Sequence, residues 1–181
     1  MCPGSGRAAA GFTLYELLMT LALVAVVVAV GLPSFGSLLA NSRLRAESNA
    51  LFDSIYLARK ESVVRRRAVT LCPSQDGLNC DAANDWSAGW IRFVNTDRDD
   101  PPVRDDDEAI LYYHAVEPGV VIAANRRGFT LRSTELRATN GTLVLCDAAG
   151  RAEARAVVVS YTGRPRVTRR DSAGRPYSCA H

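Results

Sequence analysis

The chain has 181 residues and a formal net charge of +3. That length suits one folded domain with an attached segment and excludes two large domains. No Ser/His/Asp order, phosphate-cradling glycine loop or pair of catalytic carboxylates stands out in the sequence, which argues against an enzyme and against a cofactor. The near-balance of charge hides an asymmetry, because acids crowd residues 97–108 and arginines crowd residues 150–181.

An uninterrupted apolar run extends from Phe12 to Leu32. It comprises about 21 residues and would span about 30 Å as a helix, the thickness of a bilayer core. A secretory signal peptide is the alternative, but its apolar core is shorter and a small-residue cleavage site follows it. Here the small residues precede the run. We therefore expect residues 1–11 to be a cleaved leader and residues 12–32 to be a retained transmembrane helix half.

Glu16 is the only carboxylate inside this run. A carboxylate within a membrane span costs roughly 2.5–3.5 kcal/mol, so it usually has a function and a partner. Cleavage after Gly11 would create a charged amine on Phe12, one helical turn from Glu16. The pair would form within one chain or between neighbouring subunits. The alternative is that Glu16 merely lies at the membrane interface.

The segment Gly11-Phe12-Thr13-Leu14, together with Glu16, resembles the class III signal of type IV pilins and type II secretion pseudopilins. The resemblance implies that a prepilin peptidase cuts after Gly11, that Phe12 becomes methylated, and that Glu16 guides docking onto other major and minor pilins. It also implies insertion in the inner membrane with the head in the periplasm, followed by incorporation into an extracellular fibre. One departure from the family pattern is Ala10, where a Lys or Arg is common.

Residues 33–67 are predicted to continue the helix as an amphipathic half. Its apolar residues recur at steps near 3.6 and would lie against a folded head: Leu44, Leu51, Ile55 and Ala58. Arg65-Arg66-Arg67 then ends the helix, where the helix dipole favours cations. A basic triplet would also suit nucleic acid or lipid headgroups.

Short strands are predicted to follow over residues 68–181, with Gly-containing turn signals between several of them. They are Ala68–Cys72, Gly89–Val94, Ala109–His114, Val120–Ala123, Phe129–Arg132, Thr142–Cys146 and Ala156–Tyr161. Seven short strands without helical patterns between them indicate a β-sandwich or two packed sheets.

The helix end and the first strands resemble GspH/FimT-type pilins. The similar residues are Ala58-Arg59-Lys60-Glu61-Ser62, Leu71-Cys72, Trp86 and Gly89-Trp90. The resemblance implies an α+β, type IV pilin-like fold, in which a long N-terminal helix packs on a C-terminal β-rich head of two antiparallel sheets.

Four cysteines follow the predicted leader: Cys72, Cys80, Cys146 and Cys179. Four cysteines allow three connectivities. Because Cys72 and Cys80 bracket a turn-rich loop, we expect disulfides Cys72–Cys80 and Cys146–Cys179. A four-cysteine zinc site is the alternative, but the sequence has no CxxC pair, so we expect no metal.

Residues 97–108 contain seven acids. The alternation of Asn95, Asp97 and Asp99 is similar to the start of a calcium loop. However, Asp100 and Asp106 stand where an EF-hand loop needs Gly and Glu. We therefore expect a solvated, mobile loop, with a calcium site as the alternative.

Residues 150–181 contain seven arginines and two acids. Within them, Gly163-Arg164-Pro165-Arg166 resembles the GRxR motif of FimT-like minor pilins, which implies contact with double-stranded DNA through Gly163, Arg164 and Arg166. We add Arg169 and Arg170 on charge grounds alone. The alternative is a hairpin turn whose arginines are solvated or pair with the acidic loop.

Two functions follow from these resemblances. The first is a minor pilin of a type IV pilus that binds extracellular DNA non-specifically, through phosphate contacts, for uptake in natural transformation. The alternative is a structural FimU-like minor pilin or GspH-like pseudopilin in the filament tip-priming complex, without DNA binding. A bitopic membrane enzyme would need a catalytic cluster that the sequence lacks.

Overall fold

A computed structural model describes residues 11–133 and 137–179, with side chains except at residues 30 and 32–34. Within these residues, one helix, α1, extends over Leu14–Arg65, and eight strands follow it. The strands are β1 Ala68–Pro73, β2 Gly89–Asn95, β3 Ile110–Ala115, β4 Val120–Ala124, β5 Phe129–Leu131, β6 Gly141–Asp147, β7 Arg155–Val159 and β8 Pro165–Thr168. The chain divides into two units, Met1–Ser37 and Leu38–His181.

In the first unit, Thr13 and Glu16 cap the beginning of α1. The Glu16 carboxylate accepts hydrogen bonds from the Thr13 backbone N–H and hydroxyl, both at 3.0 Å. The Glu16 N–H donates to Thr13 Oγ1 at 3.3 Å. This reciprocal arrangement is a capping box, which satisfies backbone donors that a helix start leaves unpaired.

The predicted leader lies outside the described residues except for Gly11. Over the described ranges, no helical segment is both long enough and apolar enough to cross a membrane. The predicted transmembrane half includes residues 30 and 32, whose side chains are not described. The boundaries of the leader and of this half remain predictions.

In the second unit, the later part of α1 and two antiparallel sheets pack around a main core, and Cys72, Ile91 and Phe93 form a smaller buried cluster. The first sheet has the strand order β3-β2-β1-β5, and the second has the order β4-β6-β7-β8. The helix contributes its apolar face: Leu44, Leu51, Ile55 and Ala58 are fully buried. The amphipathic interpretation of this segment is therefore confirmed, and so is the α+β fold class.

Strand β8 was not predicted from the sequence. It has four residues, begins with Pro165 and contains one aliphatic residue, Val167, so it has no alternating apolar pattern. Pairing with β7 forms it: Val167 lies opposite Val157, and Pro165 opposite Val159. The segment is a strand because it pairs with β7. Local β-propensity is a weak determinant for a short strand at the edge of a sheet.

Both cysteine pairs are disulfide-bonded in the expected connectivity. Cys72–Cys80 closes the loop that follows β1. Cys146–Cys179 ties the C-terminal segment to β6. All four thiols are used in this way, so none remains as a zinc ligand.

The acidic segment differs from the solvated loop that we expected. Glu108 is only 3% exposed, and its carboxylate accepts hydrogen bonds from the backbone N–H groups of Thr96 and Asp105. Partial burial raises the pKa of Asp99, and the nearby Asp97 adds to the rise. In the described ranges, no three His, Cys, Asp or Glu side chains are placed to hold a metal ion. The segment folds around its own carboxylates, so the prediction of a solvated loop was wrong for Glu108.

Candidate functional site

The Gly-Arg-Pro-Arg segment forms the turn and second strand of the β7–β8 hairpin. The turn is closed by its own hydrogen bonds: the Gly163 N–H donates to the Ser160 carbonyl at 2.8 Å. The Arg164 N–H donates to Ser160 Oγ at 3.1 Å. Pro165 follows with a restricted φ angle. The arginine motif therefore lies in a hydrogen-bonded hairpin turn and in the strand that follows it.

Gly163 allows this turn to pack closely on the rest of the unit. Its φ of +69° lies in the left-handed region that favours glycine. A Cβ at this position would lie 2.8 Å from both Arg59 Nη1 and Leu131 Cδ1. Arg59 also donates a hydrogen bond to the Thr162 carbonyl. Gly163 is buried, so its part in the motif is to position the turn.

Arg164 and Arg166 lie on the outer side of the hairpin. Arg166 is paired with Val158, between Val157 and Val159, whose side chains point into the core. Side chains alternate across a strand, so Arg166 faces away from that core. Arg164 lies in the turn just before β8. Both arginines are exposed, and neither guanidinium makes a hydrogen bond or ion pair with any residue in the described ranges. Two cations are available here to a ligand.

Arg169 and Arg170 occupy different surroundings. Arg169 Nη1 lies 3.7 Å from the Glu153 carboxylate, and Arg169 lines a cleft beside α1. Arg170 Nη1 donates to the Gly174 carbonyl at 2.8 Å, within the C-terminal turn. The structure therefore brings together Arg164 and Arg166, and it places Arg169 in a separate cluster.

Two further arginines of the C-terminal segment are paired with carboxylates. Arg151 donates twice to Asp147 through its side chain, both times at 3.1 Å, and these bonds lower the pKa of Asp147. Arg175 contacts Asp171 at 2.8 Å, and hydrogen bonds from the Arg175 backbone and side chain lower the pKa of Asp171. The local charge of this segment thus overstates the number of arginines that can bind a ligand.

An apolar groove of about 500 Å³ lies on the same outer sheet face. Its floor includes Val121 and Val144, and Tyr177 of the disulfide-tied tail lines one side. Tyr161, beside the hairpin turn, is 64% exposed. An exposed aromatic ring next to arginines, such as that of Tyr161, is compatible with base stacking.

The predicted processing residues Gly11 and Phe12 are exposed ahead of α1. Glu16, the predicted assembly residue, is exposed and bonded to Thr13. Cleavage at Gly11 and docking through Glu16 remain predictions.

Sequence reasoning missed the side chains Arg45 and Arg155, which line the cleft that contains Arg169. The position of Arg155 in strand β7 is a signal that the sequence contained. Arg155 stands two residues before Val157 and four before Val159, so its side chain lies on the face of the strand that is directed to the core. A cation in such a position is unusual and warrants a search for its partner.

Comparison with known proteins places these features in a family. The sequence model of the family described as Type II transport protein GspH matches residues 47–163. Comparison with curated protein sequences gives no match.

Several solved structures have a similar fold. The type IV minor pilin FimU of Pseudomonas aeruginosa matches with a TM-score of 0.52 and 20% identity, over 75% of this chain and 99% of that chain. FimU in a second crystal form matches with a TM-score of 0.52 and 19% identity, over 77% of this chain and 97% of that chain. The minor pseudopilin EpsH of Vibrio cholerae matches with a TM-score of 0.49 and 11% identity, over 70% of this chain and 96% of that chain. The family match covers well over half of the chain, which therefore belongs to the GspH family of type II transport proteins, and its fold is that of the FimU structures.

Proposed function

We propose that this chain is a minor pilin of a type IV pilus that binds extracellular double-stranded DNA for uptake in natural transformation. The observation that carries the proposal is the pair Arg164 and Arg166, which are exposed on the β7–β8 hairpin and whose guanidinium groups have no partner in the described ranges. In the same proposal, the apolar residues 12–32 hold the chain in the inner membrane until it joins a filament of other pilins. A prepilin peptidase first cuts after Gly11, and Glu16 guides docking.

The guanidinium group suits a phosphate backbone because its planar fork donates two hydrogen bonds to two oxygens at once. The hairpin adds to this chemistry by limiting motion. The turn is bonded internally through Ser160 and externally through Arg59. Less conformational entropy is lost when a restricted group binds than when a mobile tail binds.

Contacts of this kind recognise the backbone and carry little sequence information. Binding releases counterions from DNA, so affinity falls steeply with salt. One head with two available arginines binds weakly. Several subunits in a filament would raise the affinity by multivalency.

The test is DNA binding by the full-length chain in a neutral detergent, measured by fluorescence anisotropy of a labelled duplex across a KCl series. We expect Arg164→Gln/Arg166→Gln to weaken binding at least about tenfold, because two charge-assisted contacts are lost. The slope of log affinity against log salt should become shallower by about 1.8, since each phosphate contact contributes about 0.9.

The matched control is Arg126→Gln/Arg127→Gln, which removes the same charge from two exposed arginines in the β4–β5 turn. It should retain affinity within about twofold. Equal losses in both double variants would show that net charge, and not the hairpin, drives binding. Unfolding curves must show that each variant is folded.

A structural role in the tip-priming complex is the second candidate. Among the described residues, six apolar side chains of α1 that belong to the second unit are 40–72% exposed: Leu38, Leu39, Tyr56, Leu57, Val63 and Val64. An exposed apolar group on a helix fits contact with a neighbouring subunit. No binding by the intact chain at low salt and high protein concentration would favour this candidate over DNA capture.

A further inference from the structure

A polar cleft of about 800 Å³ lies within the second unit, away from the outer sheet face that carries Arg166. It is lined from three sides. Arg45 comes from α1, Arg155 from β7, and Arg169 from the residue after β8. Glu153 is the only acidic residue in its lining among the described residues.

Arg155 is the most buried of these cations. It is 8% exposed, and its Nε atom is buried without a hydrogen-bond partner in the described ranges. Burial lowers the pKa of Arg155, and the nearby Arg169 and Arg45 lower it further. A buried cation next to two like charges is unfavourable unless an anion compensates it.

The described carboxylates do not supply that compensation. Glu153 lies 3.7 Å from Arg169, is 80% exposed and makes no ion pair with the other two arginines. Arg151 also lines the cleft, and its side chain is paired with Asp147 through two hydrogen bonds. The guanidinium groups of Arg45 and Arg155 make no hydrogen bond or ion pair with any residue in the described ranges. With the Arg151–Asp147 pair counted as neutral, the three other arginines and Glu153 give the cleft a formal charge of +2.

We propose that this cleft is an anion-binding site that takes a dianionic phosphate, either free inorganic phosphate or the terminal group of a phosphate monoester. A phosphate group near neutral pH carries a charge of about −1.5 to −2, which balances the cleft. Its oxygens can accept from several guanidinium forks at once. A carboxylate and the phosphodiester of a DNA backbone each carry a single charge and would leave the cleft positive. The site is independent of the DNA function proposed for the hairpin.

The test is isothermal titration of the full-length chain in a neutral detergent with sodium phosphate, with sodium chloride at matched ionic strength as the blank. We expect saturable binding of inorganic phosphate. Arg45→Gln and Arg169→Gln should each weaken it about tenfold, because each removes a charge-assisted hydrogen bond. Both residues are exposed, so these variants should fold, and urea unfolding checks this.

Two controls set the specificity. Arg127→Gln removes one exposed arginine elsewhere, and Arg164→Gln/Arg166→Gln removes the DNA-contacting pair; both should keep phosphate affinity within about twofold. Glycerol 3-phosphate distinguishes the source: binding as tight as that of phosphate indicates a monoester ligand, and weaker binding indicates free phosphate. No saturable binding of either probe would overturn the proposal. The proposal would also be overturned if Arg127→Gln lost as much phosphate affinity as Arg45→Gln and Arg169→Gln, or if acetate bound as tightly as phosphate.

Discussion

The acidic segment 97–108 and the basic β7–β8 hairpin use their charged side chains in opposite ways. In the acidic segment, the carboxylates of Glu108 and Asp99 accept hydrogen bonds from backbone N–H groups of their own loop. On the hairpin, the guanidinium groups of Arg164 and Arg166 make no hydrogen bond or ion pair in the described ranges. The carboxylates of the acidic segment stabilise their own loop, whereas the arginines of the hairpin are exposed to solvent.

The difference follows from the chemistry of the side chains. A short carboxylate is an acceptor, and a loop offers it nearby backbone donors that need to be satisfied. A guanidinium group has only donors, and its long side chain carries them away from the turn that it belongs to. The turn of the hairpin is instead closed by the Ser160 hydroxyl and carbonyl. Charge density in a sequence therefore does not measure how much charge remains available for binding.

The largest expected effect is a loss of stability when the disulfide of the C-terminal segment is removed. Measuring DNA affinity in the same variant shows whether the arginines of the hairpin depend on that segment. Cys146→Ser/Cys179→Ser removes a bridge between residues 33 positions apart. We expect a loss of about 3 kcal/mol in the free energy of unfolding, measured by urea denaturation, because the unfolded chain regains entropy. Since β8 pairs with β7 independently of the bridge, DNA affinity should stay within about twofold. A loss of affinity in a folded variant would mean that the tail, and not strand pairing, orders the arginines.

Gly163→Ala tests whether the hairpin is fixed by close packing. The left-handed φ angle and the contact of a new Cβ with Leu131 and Arg59 should together cost about 2 kcal/mol of unfolding free energy. DNA affinity should fall several-fold, because the turn that positions the arginines must move. Gly150→Ala, also at positive φ but in open space, is the control: it should destabilise less and leave DNA affinity unchanged.

Glu108→Gln tests whether the acidic segment depends on its buried carboxylate. We expect a loss of about 1.5 kcal/mol, because one of the two backbone donors loses its charged acceptor. The matched control, Asp106→Asn, removes the same charge from an exposed side chain and should change stability by less than about 0.5 kcal/mol. Equal effects from the two substitutions would mean that charge repulsion, and not hydrogen bonding, governs this segment.

Asp147→Asn tests the ion pair between Asp147 and Arg151, an arginine of the C-terminal segment that already has a partner. The folded pKa of Asp147 lies below the unfolded value of about 3.9, because Arg151 bonds to the ionised carboxylate. The stability that this group contributes is therefore complete above about pH 4 and is lost as the pH falls through the folded pKa. We expect the substitution to cost about 1 kcal/mol at pH 7 and progressively less below pH 4. A difference that does not change with pH, measured by urea denaturation, would contradict this assignment.

Much of the fold was determined by local sequence signals. The apolar spacing of Leu44, Leu51 and Ile55 predicted the buried face of α1, and the turn-rich loop between Cys72 and Cys80 predicted their disulfide. Helix periodicity and short-range turns are readable because they depend on neighbouring residues. The hairpin motif at residues 163–166 was also recognised in the sequence, through its resemblance to the family.

The availability of each charge was decided only by the tertiary structure. Strand β8 exists because β7 pairs with it, and that pairing places Arg166 on the outer face. Arg155 joins Arg45 and Arg169 although 110 positions separate it from the helix residue. Glu108 becomes buried because the loop closes over it. Which charges are paired, buried or exposed depends on contacts between distant residues, and local patterns carry no record of those contacts.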